Sequence, residues 1–163
     1  MHFWMRSLTL FDSVLVVAAH PDDEVLGCGG TIARHASAGD RVQILIVAEG
    51  STSRQQERDR TKVQDELSVL AKAAQTAGSI LGAAGVELLD LPDNRLDSLD
   101  RLDLIKRIEE YVERYQPQSV YVHHAGDVNV DHRFLHEAVK HLARWSGAQV
   151  GVAHSFCLVS PLL

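Results

Sequence analysis

The stretch SVLVVAAHPDDE, Ser13–Glu24, decides the fold and places the chemistry. Its first part, Ser13–Ala19, is a continuous apolar run rich in β-branched residues, which is typical of a strand buried on both faces. The run stops at His20 and Pro21, and three acids follow at once, Asp22, Asp23 and Glu24. We therefore predict a buried first strand whose carboxyl end opens into a loop carrying a histidine and several carboxylates.

Strand-like and helix-like segments alternate along the rest of the chain. Further buried strands are predicted at Arg41–Val47, Val86–Leu91 and Ser119–His123, and helices at Gly30–Ser37, Thr61–Leu81, Leu99–Tyr115 and His132–Trp145. Strands separated by single helices imply right-handed crossovers and a mostly parallel sheet. We expect an α/β fold of the Rossmann-like kind, a three-layer αβα sandwich.

The longest predicted helix carries a regular apolar stripe. Its apolar residues recur at intervals of three or four, at Val63, Leu67, Leu70, Ala74, Ala77 and Leu81. This spacing is typical of a helix that buries one face. We predict an amphipathic helix that ends before Gly82.

Composition limits the classes of protein that the chain can represent. Its 163 residues fit one domain, 1–163, and the net charge of −6 argues against a nucleic-acid partner. Two cysteines cannot build a disulfide framework. No stretch approaches the ~20 apolar residues of a membrane span. We expect a soluble, cytoplasmic protein.

Histidines and acids collect at the ends of two predicted strands. The first strand runs into His20–Glu24, and the fourth into His123–His132. Parallel topology places both loops at the same edge of the sheet, where such folds bind ligands. Imidazole and carboxylate groups from separate loops suit zinc or a similar divalent cation, and three ligands with an open position suit catalysis. The alternative is that each loop is a solvated turn whose aspartates cap the next helix.

These residues carry a resemblance to a known family. The segment AHPDDE at Ala19–Glu24 resembles the signature of the PIG-L/LmbE family of zinc-dependent de-N-acetylases. The likeness continues in family order with GSTSR at 50–54, LDLPDNRL at Leu89–Leu96 and the turn Asp131–Arg133, and it spans roughly residues 12–145. The resemblance implies a zinc-dependent hydrolase that removes an N-acetyl group from an amino sugar or a sugar conjugate.

The resemblance also implies roles for individual residues. It assigns His20, Asp23 and His132 as metal ligands and Asp22 as the general base. Two neutral imidazoles and one carboxylate would leave Zn²⁺ with a net positive charge, which lowers the pKa of a bound water. Asp22 adjoins a ligand, and a carboxylate there can take a proton and return it to the leaving amine.

Two further residues follow the second and third strands and can reach the same cleft. Arg54 suits a phosphate or carboxylate on the substrate, and Asp93 suits sugar hydroxyls. The alternatives are a surface position at a helix start for Arg54 and a turn position after Pro92 for Asp93.

The sequence departs from the family at one position. Many members have a histidine three residues before the last ligand, whereas this chain has Asn129. Either Asn129 donates a neutral hydrogen bond to the oxyanion, or His124 or His123 takes that role. Of the two histidines, His124 is favoured because it is nearer the loop. The alternative is that both histidines only cap the strand end.

Parts of the sequence also fit two other functions. One is a catalytically idle relative that binds metal or sugar, which the intact Asp22 argues against and the short C-terminal end favours. The other is a nucleotide-binding α/β domain, for which Glu49 supplies the acid after the second strand while HPDDE replaces the glycine-rich turn.

The C-terminal end carries a separate expectation. The residues after Gly147 resemble one or two short strands, and Phe156–Leu163 is almost entirely apolar or small. Such a segment forms a core strand or covers a neighbouring subunit. We predict a homo-oligomer whose interface includes residues after Gly147, with a small N-acetylated amino sugar or conjugate as the other partner.

Overall fold

The computed structural model describes residues 12–146, 149–152 and 156–157, with side chains described over 12–142. The strands are β1 (Ser13–Ala18), β2 (Arg41–Ala48), β3 (Gly85–Leu91), β4 (Ser119–His123), β5 (Gln149–Val152) and β6 (Phe156–Cys157). The helices are α1 (Asp23–Ala38), α2 (Gln64–Leu81), α3 (Arg101–Tyr115) and α4 (Val130–Ser146), and short 3₁₀ turns lie at Thr52–Arg54, Arg60–Val63 and Leu96–Ser98.

The strands form one sheet in the order β3-β2-β1-β4-β5, and all five run parallel. Strand β6 pairs antiparallel with the end of β4. Strand β1 lies in the centre, with Val17 opposite Leu45 of β2 on one side and Val122 of β4 on the other. The chain runs outward from β1 through β2 to β3 and then crosses to β4 on the other side of β1, so the loops after β1 and β4 flank the switch point of the sheet.

Both faces of β1 are buried, as the sequence predicts. Val14 and Val16 pack with residues of α1 and α2, among them Ile32 and Ala74. The alternate residues, Leu15 and Val17, pack with residues of α3 and α4, including Ile105, Ile108, Leu135 and Val139. Helices therefore cover the sheet on two sides, and the prediction of a three-layer αβα sandwich is confirmed.

Helix α1 starts seven residues before the predicted position, at Asp23 rather than Gly30. The glycines at 27, 29 and 30 weaken the helical signal in the sequence, since each has a low helix propensity. Within the fold, Gly29 lies on the buried face of α1 against Leu81 of α2. A Cβ at Gly29 would lie 3.8 Å from Leu81, an ordinary van der Waals contact, so the packing of α1 on α2 does not require a glycine here.

The apolar stripe of α2 is divided between two surroundings. Leu67, Ala74 and Gly78 are buried. Val63 and Leu70 are half-buried and line a cleft. The apolar stripe is wider than the face of α2 that packs on the sheet, so some of its residues lie outside the core.

Over the described part of the chain, no helix combines the length and the apolarity that crossing a bilayer demands.

Candidate metal centre and cleft

Three side chains meet at the carboxyl edge of the sheet. His20 follows β1, Asp23 begins α1, and His132 lies in the first turn of α4. Nδ1 of His20 lies 3.2 Å from Oδ2 of Asp23, and Nε2 of His132 lies 3.1 Å from the same oxygen. The two ring nitrogens are 3.4 Å apart. The fold therefore brings two imidazoles and one carboxylate into a small, nearly equilateral triangle.

This triangle fits a zinc ion. Tetrahedral zinc with bonds of about 2.0–2.1 Å sets its ligand atoms roughly 3.3–3.4 Å apart. The three separations in the cluster lie between 3.1 and 3.4 Å. Histidine and carboxylate donors are also among the ligands that zinc takes in catalytic sites. The donor set and its spacing both suit a three-ligand site with one open position.

Carboxylates face the second ring nitrogen of both histidines. Asp131 is fully buried, and its Oδ2 lies 3.1 Å from Nε2 of His20 while its Oδ1 accepts a hydrogen bond from the Leu96 amide. Oδ2 of Asp127 lies 3.0 Å from Nδ1 of His132 as an ion-pair contact. Metal-binding histidines in proteins commonly have such partners, which fix the ring orientation and raise its basicity.

These contacts shift the protonation of the cluster. Burial lowers the pKa of His20, but hydrogen bonds to Asp131 and Asp23 outweigh it and raise that pKa to about 10 in the metal-free protein. Burial lowers the pKa of His132 as well, but hydrogen bonds to Asp23 and Asp127 outweigh it and raise that pKa. The pKa of Asp23 is held below its usual range by both rings, despite burial. The negative charge that favours protonated imidazoles here equally favours a bound cation.

Asp22 stands beside this cluster and lines the cleft. Its side chain is exposed, and its backbone amide donates to the carbonyl of His20 at 2.9 Å. Partial burial, and then the neighbouring Asp23 carboxylate, raise the pKa of Asp22 above its usual value. A carboxylate with a raised pKa holds a proton more readily, which suits a group that both accepts and returns one.

Asn129 reaches the cleft with a fixed orientation. Its Oδ1 accepts the backbone amide of Asp131 at 2.8 Å and caps α4, and its Nδ2 donates to Oδ1 of Asn94 at 3.1 Å. Because the oxygen is held by the helix cap, the amide cannot be turned around. The Nδ2 group has two hydrogens, so one remains for a ligand.

The structure does not bring His124 or His123 into the cleft. His124 is exposed, and its ring accepts the amide of Gly126 within the same loop, at 2.9 Å. His123 is 1% exposed and accepts the amide of Ala19 at 2.8 Å. Burial lowers the pKa of His123 to about 3, and its neutral ring stacks on that of His132. Of the three candidates for the oxyanion side, Asn129 alone lines the cleft over the described range.

Asp93 and Arg54 also line the cleft, but Asp93 is buried and Arg54 is exposed. Asp93 is 3% exposed; it accepts the Ser53 amide at 3.1 Å, and its other oxygen lies 3.4 Å from Nε2 of His20. These contacts also place Asp93 where it can position His20. Arg54 is exposed, and within the described residues no carboxylate pairs with it.

Glu49 anchors the loop that carries Arg54. It is 5% exposed and lies 2.7 Å from Nε of Arg58 and 2.8 Å from Nε of Arg60. Thr52 donates a further hydrogen bond to it. An acid at this position binds a ribose in nucleotide-binding folds. Because two arginines occupy the Glu49 carboxylate, the structure argues against the nucleotide-binding alternative.

Asn94, Val63 and Leu70 are among the cleft residues that the sequence did not indicate. Asn94 has a positive φ of 52°, a left-handed conformation that asparagine tolerates, and this backbone turns its side chain toward Asn129. The segment Leu-Pro-Asp-Asn gave a turn signal but no sign of that contact. Val63 and Leu70 were hidden in the core-like stripe of α2.

The cleft has a volume of about 550 Å³, within the range of small-molecule sites. Comparison with solved structures finds the same fold in several proteins. N,N'-diacetylchitobiose deacetylase from Pyrococcus horikoshii has a TM-score of 0.71 and 19% identity over 87% of this chain and 60% of its own. The hydratase GalB from Pseudomonas putida has a TM-score of 0.67 and 28% identity over 92% of this chain and 63% of its own.

Curated relatives include deacetylases. The uncharacterized deacetylase YaiS of Escherichia coli is 28% identical over 130 residues, 77% of this chain and 64% of its own length. A 1D-myo-inositol 2-acetamido-2-deoxy-alpha-D-glucopyranoside deacetylase of Kineococcus radiotolerans is 27% identical over 77% of this chain and 43% of its own. The chain thus spans less than two thirds of the length of these relatives.

A family profile also matches most of the chain. The sequence profile of the PIG-L family, described as GlcNAc-PI de-N-acetylase, matches residues 15–143. This range includes the whole histidine–carboxylate cluster and the loops that carry Asp22, Arg54 and Asn129. The chain belongs to the PIG-L family of de-N-acetylases.

Proposed function

We propose that this protein is a zinc-dependent hydrolase that removes the N-acetyl group from an amino sugar or a sugar conjugate. The observation that carries the proposal is the triangle of His20, Asp23 and His132 with the Asp22 carboxylate beside it in a cleft. The family match and the deacetylases among the relatives support the same reaction.

His20, Asp23 and His132 are the residues that would hold the metal. Bound there, zinc supplies Lewis acidity that polarises a carbonyl and lowers the pKa of water. Asp131 and Asp127 keep the two rings turned so that Nδ1 of His20 and Nε2 of His132 face Asp23. Each ligand is thereby oriented before any metal arrives, which reduces the cost of assembling the site.

Asp22 is assigned the proton transfers. As a carboxylate at the cleft it accepts a proton from the attacking water. Its raised pKa then favours keeping that proton until the amine leaves. The acid form of Asp22 protonates the amine nitrogen, which completes hydrolysis to acetate and a free amino sugar.

Asn129 and Arg54 are assigned to binding. The remaining Nδ2 hydrogen of Asn129 is placed to donate to the oxygen of the amide carbonyl as negative charge develops on it. Arg54 presents a guanidinium in the same cleft that no carboxylate of the described residues pairs with, and it suits a phosphate or carboxylate on the conjugate.

A second candidate function is the hydration of an unsaturated carboxylate. The hydratase GalB is 28% identical to this chain over 92% of its residues. Arg54, which lines the cleft and is exposed, also suits a carboxylate on the substrate. The two functions differ in product, because hydration releases neither acetate nor amine.

The test is an amine-release screen over N-acetylglucosamine conjugates, run beside an assay for hydration of unsaturated dicarboxylates. We expect amine release by the zinc-loaded protein, and a fall in kcat of about 10²–10⁴-fold in Asp22→Asn with metal content retained. His124→Ala is the matched control and keeps its activity, because His124 lies outside the cleft. Equal activity in the wild type and Asp22→Asn would contradict the assignment, and hydration without amine release would favour the second candidate.

A further inference from the structure

Two asparagines from different loops are hydrogen-bonded to each other in the cleft. Asn94 lies in the loop after β3, and Asn129 lies directly before α4. Nδ2 of Asn129 donates to Oδ1 of Asn94 at 3.1 Å, and both residues line the cleft. The sequence contains no other asparagine. This contact therefore joins the loop after β3 to the start of α4 at the candidate site.

The neighbours of each asparagine determine which way its amide points. Nδ2 of Asn94 donates to Oδ1 of Asp93 at 3.1 Å, and a carboxylate offers only acceptors, so the oxygen of Asn94 faces Asn129. Oδ1 of Asn129 accepts the backbone amide of Asp131 at 2.8 Å, so its NH₂ group faces Asn94. If either asparagine were turned around, two donors or two acceptors would face each other. Asp93, Asn94 and Asn129 thus have one consistent set of hydrogen bonds.

The carboxylate at the far end of these hydrogen bonds is itself held in place. Asp93 is buried, and its Oδ2 accepts the backbone amide of Ser53 at 3.1 Å. Its Oδ1, which accepts from Asn94, also lies 3.4 Å from Nε2 of His20. Asn94 therefore connects Asn129 to a fixed group, and through that group to the candidate metal ligand His20.

The helix cap alone does not fix the amide plane of Asn129. The cap holds the oxygen, but the NH₂ end can still rock about that contact. The hydrogen bond to Asn94 holds the nitrogen as well, and it uses one of the two Nδ2 hydrogens. A donor that is already held in position stabilises developing negative charge without reorganising at the moment of reaction.

We propose that Asn94 is a positioning residue for amide hydrolysis, because it holds the Asn129 amide with its second Nδ2 hydrogen free for the carbonyl oxygen of the substrate. This inference rests on the proposed deacetylase function, in which Asn129 donates to that oxygen. Asn94 acts through Asn129, so its effect on turnover depends on the presence of Asn129.

The first experiment is a double-mutant cycle with Asn94→Gly and Asn129→Ala. Glycine adopts the positive φ of 52° at position 94, so Asn94→Gly removes the contact and keeps the turn. We expect kcat to fall about 10–100-fold in Asn94→Gly, and about 10²–10³-fold in Asn129→Ala. KM and zinc content should stay nearly constant in both, as expected when an interaction in the transition state is lost.

The double variant separates positioning from a structural role. Adding Asn94→Gly to Asn129→Ala should lower kcat by less than about twofold, because residues that act together are not additive. Asp97→Ala, which removes an exposed side chain three positions further on, is the control and keeps its activity. Losses that multiply in the double variant, or a rise in KM in place of the fall in kcat, would overturn the inference.

NMR of the side-chain amides tests the contact without turnover. Because the chain has only two asparagines, isotope labelling of asparagine nitrogen gives two side-chain NH₂ groups, and Asn94→Gly leaves that of Asn129 alone. We expect the Asn129 NH₂ group to be ordered in the wild type and in Asp97→Ala, and to lose order and hydrogen-exchange protection in Asn94→Gly.

The two experiments distinguish failure of the inference from failure of the proposed function. If the wild type releases no amine from N-acetylglucosamine conjugates while Asn94→Gly still frees the Asn129 amide, the deacetylase proposal is overturned and the positioning of Asn129 stands. An Asn129 NH₂ group that is equally ordered in the wild type and in Asn94→Gly would overturn the inference, whether or not the protein is active.

Discussion

The two ring nitrogens of His20 face different partners. Nδ1 lies toward Asp23 and His132, and Nε2 lies toward Asp131 and Asp93. The sequence predicts His20 as a ligand from the family motif, but it does not predict the Asp131 contact, which joins residues 111 positions apart. Contacts of this kind depend on how two loops dock, and the spacing within either loop does not contain that information.

Removing the charge of Asp131 tests its role behind His20. In Asp131→Asn the oxygen can still accept the Leu96 amide, but the new NH₂ group opposes the Nε2 proton of a metal-binding His20. We expect zinc affinity to fall about 10–100-fold. Competition with a chelating dye measures this, and exposed Asp97→Asn serves as the control with unchanged affinity. Unaltered zinc affinity in Asp131→Asn would show that His20 needs no such partner.

Zinc binding should release protons. Since the pKa of His20 is about 10 without metal, the ring is protonated at pH 7 and must lose that proton to bind. The raised pKa of His20 also stabilises the metal-free fold. This stabilisation is fully present below about pH 6.5, the ordinary pKa of histidine, and is lost as the pH rises through 10. Calorimetry in buffers of different ionisation enthalpy should give about one proton or more at pH 7 and fewer above pH 10. Binding heats independent of the buffer would contradict this.

At the scale of elements, the predicted strands match the observed ones to within a residue or two, because buried parallel strands are short apolar runs. Helix boundaries were harder to predict. The glycines of α1 weakened the helical signal at its start, and the apolar stripe of α2 mixed core and cleft residues. A periodic pattern shows that a residue is apolar, but it does not show which apolar surroundings the residue occupies.

Two helical glycines should respond oppositely to the same substitution. A Cβ at Gly78 of α2 would lie 2.3 Å from Cγ2 of Val86, whereas a Cβ at Gly30 of α1 meets nothing within 4 Å. We expect Gly78→Ala to destabilise by about 1–3 kcal/mol through overpacking. Gly30→Ala should stabilise by about 0.4–1 kcal/mol, because alanine restricts the unfolded chain. Urea denaturation measures both, and equal shifts would argue against the packing of α2 on β3.

At the scale of the molecule, the parallel topology is what assembles the cleft. Loops after β1, β2, β3 and β4 supply its lining, and α2 supplies the apolar part. The sequence predicted this shared edge from the order of elements alone. The chain spans less than two thirds of the length of these curated relatives.

The homo-oligomer predicted from the sequence remains a prediction. Its interface is expected to include residues after Gly147, and the side chains of that segment lie outside the described residues. Light scattering across a dilution series should give a mass of at least two chains that falls on dilution. A strict monomer with full deacetylase activity would contradict the expectation.

The central claim is that His20, Asp23 and His132 hold one zinc ion on which amide hydrolysis depends. The most direct test is a titration of metal-depleted protein with zinc, with amine release from an N-acetylglucosamine conjugate measured at each step. Activity should rise from zero and reach its plateau at one zinc per chain, and His132→Ala should show no such rise. Full activity without metal, or an unaltered titration in His132→Ala, would contradict the claim.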